Sequence, residues 1–103
     1  MQTGMEWSET AAGAGSGATA THAANAKRTH IVTSISGHVD EDEIIQILDG
    51  STVVWESKID VSAEGWSFNF GGLNVVCSLG AVAKGYLSDA NADCQVNISG
   101  YSI

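Results

Sequence analysis

From Lys27 onward the apolar residues of this chain fall on alternate positions, and no other feature constrains the fold as strongly. In "LNVVCSL" the repeating set is Leu73, Val75, Cys77 and Leu79; in "DCQVNI" it is Cys94, Val96 and Ile98. Successive side chains point to opposite faces only in a β-strand, so these segments suit strands with one face on a core. No segment sustains a helical period. "ILDGSTVVWESKIDV" (residues 47–61) has the form of a hairpin, with a turn at Asp49-Gly50 between two strands. Its second strand sets Val53, Trp55, Ile59 and Val61 against Val54, Glu56, Lys58 and Asp60.

The same pattern continues on both sides of that hairpin. "KRTHIVTSISGHV" places Ile31, Ile35 and Val39 on one side, and "GWSFNF" groups Trp66, Phe68 and Phe70. "EDEIIQIL" carries Ile45 and Ile47 against Ile44, Gln46 and Leu48, which suits a strand covered on both faces. With "LNVVCSL", "AVAKGYLS" and "DCQVNISGYSI" there are seven strands, and "ATATHA" offers an eighth. Asp-Gly, Gly-Gly, Leu-Gly and "SDANAD" supply the turns. The expected fold is all-β: a small antiparallel β-sandwich or jelly roll of seven to eight short strands with an extended N-terminal arm.

The arm is read from a composition shift near Ala26. "TAAGAGSGATATHAANA" is almost wholly Ala, Gly, Thr and Ser, which bury too little apolar surface to fold alone. Residues 1–26 are therefore expected as an arm and residues 27–103 as the β-sandwich domain. Met5 and Trp7 stand at the far end of the arm, where a Trp is either disordered or seated in a partner pocket.

Charge narrows the partners. The 103 residues hold 12 acidic and 4 basic side chains, a net charge of −8 with the histidines neutral. Such a chain is repelled by nucleic-acid phosphates and anionic membranes, so neither is an expected partner. The first residues lack a basic region followed by an apolar one, so export by a secretory signal is not expected. The apolar runs are too short to span a bilayer. Cys77 and Cys94 share faces with Val, Leu and Ile and are expected as buried reduced thiols, a disulfide being the alternative.

No stretch spells out a reaction. Asp40, Glu41, Asp42 and Glu43 form the densest charge cluster and the weak candidates for a hard-cation site. They lack the alternating spacing that wraps a loop around one ion, so a solvated turn is the simpler expectation. His22, His30 and His38 recur every eight residues and are expected at the surface or an interface. His30 and His38 at opposite ends of one strand are too far apart to share a metal. No nucleophile elbow or phosphate-cradling loop is present, so neither catalysis nor a cofactor is expected. The "NIS" at Asn97 matches a glycosylation sequon by chance. Trp55, Trp66, Tyr86 and Tyr101 suit core or subunit-interface packing, or a sugar-stacking face.

The order "KRTHIVTSISG", "ILDGSTVVWESKIDV", "FNFGGLN" and "VNISGYS", across residues 19–103, resembles small all-β virion proteins of tailed bacteriophages. Among these it is similar to jelly-roll capsid decoration (cement) proteins. The resemblance implies a homotrimer on the outer surface of the head, bound to the major capsid protein after assembly in the host cytoplasm. It implies an arm that grips the shell through Met5, Trp7, Thr19 and Thr21, and trimer contacts among Trp55, Trp66 and Tyr101. It carries no catalytic residues, and the acidic run departs from its pattern. The alternative is a receptor- or carbohydrate-binding sandwich of a head or tail fibre. A fibre tip should show exposed aromatics around a groove; a decoration protein should show a flat base.

Overall fold

A computed structural model describes residues 5–14, 17–61, 66–88 and 93–103, all within two antiparallel sheets and their connections. Nine strands are described: β1 (Met5–Ala14), β2 (Ala18–His22), β3 (His30–His38), β4 (Glu43–Asp49), β5 (Thr52–Ile59), β6 (Ser67–Phe70), β7 (Val75–Val76), β8 (Ala83–Leu87) and β9 (Asp93–Ser102). One sheet runs β1-β9-β3-β6, with β7 also on β3; the other runs β2-β8-β4-β5. The chain is thus a small all-β sandwich. Most of the turn expected in "SDANAD" lies outside the described residues.

The core follows from the alternation. Cys94, Val96 and Ile98 of β9 face Ile45 and Ile47 of β4 and Ala83 and Leu87 of β8, with Val32 and Ile35 of β3 beside them. Gly85 sits where side chains of the opposite sheet press against its backbone. A Cβ there would press on Ile98 Cγ2 and stand 3.2 Å from Ile35 Cδ1 and 3.3 Å from Val96 Cγ2. Ala18, Ala20 and Ala83 keep the same sheet thin along its inner face. The isoleucines of the opposite sheet fill that space.

Several details differ from the alternation alone. A bulge between Val32 and Ser34 shifts the β3–β9 register, so Ile31 pairs with Tyr101 on the outer face while Ile35 faces the core. An extra residue in one strand reverses the parity of the residues beyond it, and the side expected to hold both isoleucines is split. β4 is covered on one face only: Ile45 and Ile47 are buried and Ile44 is exposed. The β4–β5 ladder closes at Asp49 and Thr52, so the turn residues are Gly50 and Ser51, one position later than expected. Gly50 has φ 64°, as a glycine in the first place of a type II′ turn requires. Leu79 lies in a turn and is 70 % exposed, so it leaves the face it was expected to share with Cys77.

The sheets also reach further toward the N-terminus than composition suggests. β1 pairs with β9 at ten positions, from Met5 opposite Ser102 to Ala14 opposite Asp93. β2, the segment "ATATH", pairs with β8 at five. Both lie before the boundary expected at Ala26. Their backbones supply the hydrogen bonds, so a segment of Ala, Gly, Ser and Thr can join a preformed sheet with little apolar surface of its own.

Candidate docking surface

The residues singled out in the sequence fall into separate places. Met5 is half exposed at the start of β1, and Thr19 and Thr21 point outward from β2. Trp7 turns inward instead. Its ring stacks on His22 with centroids 4.1 Å apart and planes 8° apart, while His30 meets both rings edge-on. Trp7 Nε1–H donates to Ser102 Oγ at 3.1 Å. Ser102 Oγ lies 2.6 Å from His30 Nδ1, and His30 Nε2 lies 2.8 Å from the Ala23 carbonyl oxygen. A carbonyl can only accept, so Nε2 carries the proton and, in the neutral ring, Nδ1 accepts from Ser102. His22 Nδ1–H donates to Glu9 Oε2 at 2.8 Å. Ser102 and His30 are buried, and the second histidine nitrogen meets a carbonyl, not a carboxylate. The chain of bonds ties β1 and β2 to the ends of β3 and β9.

The histidine expectation is corrected in part. His30 is 2 % exposed and His22 half-buried, whereas His38 is exposed at the other end of β3. The shared role of His22 and His30 was hidden because they lie on opposite sheets.

The acidic run does not converge. Asp40, Glu41 and Asp42 are exposed in the β3–β4 connection, but Glu43 is buried at the start of β4. Asp42 Oδ1 accepts the Val61 N–H at 3.0 Å, and Glu43 Oε1 accepts the Ile44 N–H at 3.0 Å. Among the described residues no three His, Cys, Asp or Glu side chains are grouped to hold a metal. Cys77 and Cys94 are free and buried. Burial pushes the Cys77 thiol up to about 11, with the Asp49 carboxylate adding to the effect. Burial also raises Cys94.

The aromatic residues do not share a groove. Trp66 is 67 % exposed beside β6. Trp55 is half-buried and meets Phe70 edge-on at 5.1 Å, bridging the two sheets. Tyr86 lies between the buried Gly85 and Leu87 of β8, and Tyr101 between the buried Gly100 and Ser102 of β9. The two tyrosines therefore face outward from different sheets.

What the topology does assemble is the outer face of the β1-β9-β3-β6 sheet. Directly opposed residues in antiparallel strands present their side chains side by side. Ser8, Ser99 and Ser34 form one row across β1, β9 and β3. Thr10, Asn97, Ser36 and Asn69 form the next, reaching β6. Ala12, Gln95, His38 and Ser67 form a third. These rows contain no Asp, Glu, Lys or Arg, on a chain of net charge −8. Thr10 Oγ1–H donates to Asn97 Oδ1 at 2.8 Å, so part of the row is held in place within the sheet. At one end a shallow depression of about 710 Å³ opens between Tyr101, Glu6, Ser8, Ser99 and Thr33.

A face of hydroxyls and amides can dock against protein with little penalty, because it buries no charge that must find a partner. Its polar groups exchange water for donors and acceptors opposite, directly or through bridging water. No protein-family model matches the chain, and no curated protein matches it.

Proposed function

We propose that this protein is a structural component of a tailed-phage virion that decorates the outer surface of the head, seating the three uncharged central rows of its β1-β9-β3-β6 sheet on the major capsid protein. The single observation that carries the reading is that face: three side-chain rows across the sheet with no Asp, Glu, Lys or Arg. The resemblance of residues 19–103 to decoration proteins supports it. The scattered aromatics favour a flat base over a fibre tip. Glu6 and Asp93 bound these rows at the two ends of the same face; of the remaining charge, Asp40, Glu41 and Asp42 project from the β3–β4 connection, and Glu56, Lys58 and Lys84 from the other sheet. Negative charge turned toward solvent keeps decorated particles apart.

In this reading the N-terminal segment grips the shell as part of the face, since Ser8, Thr10 and Ala12 of β1 contribute to all three rows. The homotrimer belongs to the same proposal through the resemblance alone. The experiment adds purified protein to undecorated heads and measures saturable binding. Ser36→Glu, at the centre of the face, should abolish binding, and Lys84→Glu, on the opposite sheet, should leave it intact. A receptor-binding module is the second reading, and the depression beside Tyr101 is the observation in its favour. Binding to host glycans but not heads would select it.

A further inference from the structure

The sheet β2-β8-β4-β5 ends in β5, and among the described residues only β4 pairs with that strand. Its far side is a row of backbone N–H and C=O groups open to a further strand. Proteins usually blunt such an edge with a lysine or a bulge. β5 has both. The register shifts between Ile47 and Leu48, where Val53 and Val54 are 44 % and 41 % exposed, and Lys58 points outward near the other end.

Taken alone, Lys58 is a deterrent to pairing. Glu56 stands two residues before it on the same outer face, and that reverses the conclusion toward a second copy of the chain. Pairing β5 antiparallel with itself about Ser57 sets Glu56 opposite Lys58 twice, once on each side of the two-fold axis. It also sets Trp55 opposite Ile59 on the inner face. Centring the pair on Glu56 opposes two carboxylates, and centring it on Lys58 opposes two ammonium groups. Registers centred between residues join the inner face of one sheet to the outer face of the other. Registers centred on Trp55 or Ile59 leave Glu56 with no cation opposite, so the register about Ser57 alone sets Glu56 against Lys58.

Both side chains are placed to use it. Among the described residues Lys58 has no acidic partner, the one ion pair being His22–Glu9. Glu56 accepts from Gln46 Nε2 through Oε1 at 2.8 Å, which leaves Oε2 for an ammonium group. We propose that β5 is a self-association edge: two copies pair antiparallel around Ser57, joining their sheets into one, with reciprocal Glu56–Lys58 contacts fixing the register. This stands independently of the capsid reading, and a two-fold pair through β5 is an alternative to the trimer that the resemblance implies.

Sedimentation of the full chain over a wide concentration range tests it. The chain should pass from monomer to dimer as concentration rises. E56K and K58E, each opposing like charges twice, should each weaken the dimer roughly tenfold or more. The combined E56K/K58E chain, in which the charges are exchanged, should recover the dimer to near the original strength. Circular dichroism would confirm that each variant keeps the β-fold. A chain that stays monomeric at every concentration overturns the proposal. So does a trimer or dimer indifferent to the single changes, or a combined variant that fails to recover.

Discussion

Trp7 lies flat on His22, ring centroids 4.1 Å apart, and so joins the edge strand of one sheet to the edge strand of the other. Truncating it removes the stack, the Nε1–H bond to Ser102 and a half-buried ring. Trp7→Ala should cost about 2–4 kcal/mol in urea unfolding, somewhat below or within the range for a fully buried aromatic. Hydrogen exchange should rise first in β1 amides. Unchanged β1 protection in that variant would mean the ladder to β9 holds without the clamp.

That clamp shows where sequence reasoning stops. The alternation of Cys94, Val96 and Ile98, or of Ile45 and Ile47, is visible in the chain because each residue marks its own face. β1 gives little such mark: beyond Met5 and Trp7 it holds only Glu, Ser, Thr, Ala and Gly, which carry little hydrophobic signal, and its pairing with β9 is a backbone interaction between distant segments. Ile31 and Ile35 have the same parity in sequence, yet one bulge at Thr33 puts them on opposite faces. The docking face was legible only strand by strand. That Thr10, Asn97, Ser36 and Asn69 stand in one row depends on three registers that no local pattern states.

Gly85 marks a tight point of the core. Gly85→Ala forces a methyl group against Ile98 and should destabilise by about 1–3 kcal/mol. Ile98→Val, costing about 0.5–1.5 kcal/mol alone, should cost less in combination, because it frees part of the volume the new methyl needs. Gly71→Ala, with nothing within 4 Å, is the control and should stay near neutral. Strict additivity of the Gly85 and Ile98 changes would show that the two sites do not share space. Chemical denaturation of the four chains decides it.

The thiol of Cys77 gives a pH signature. Its value rises from 9.0 to about 11 through burial first and the Asp49 charge second. Between those values the unfolded chain ionises while the folded one keeps its proton, so stability is full below about pH 9 and falls as pH rises toward 11. Cys77→Ala removes this contribution. Urea titrations at pH 8 and pH 10.5 should show a smaller loss in the variant than in the parent chain. An equal loss in both would place the effect on other groups.

Gly50 should resist replacement for a local reason. At φ 64° a side chain is strained, although nothing lies within 4 Å of the position. Gly50→Ala should cost about 1–2 kcal/mol with little change in the folded spectrum, and Gly50→Asn less, since Asn tolerates this backbone region. Thermal melts of both variants would rank them, and a melting temperature for Gly50→Ala equal to the parent's would refute the turn assignment.

The uncharged central rows of the β1-β9-β3-β6 sheet are the centre of the functional account, and binding to undecorated phage heads measures them most directly. Titrating heads with the protein should give saturable binding and greater resistance of the heads to heat. Ser36→Glu should remove both effects while leaving the fold and its urea stability intact, and Lys84→Glu should remove neither. Heads that bind the Ser36→Glu chain as well as the parent, or that bind neither, would contradict the account.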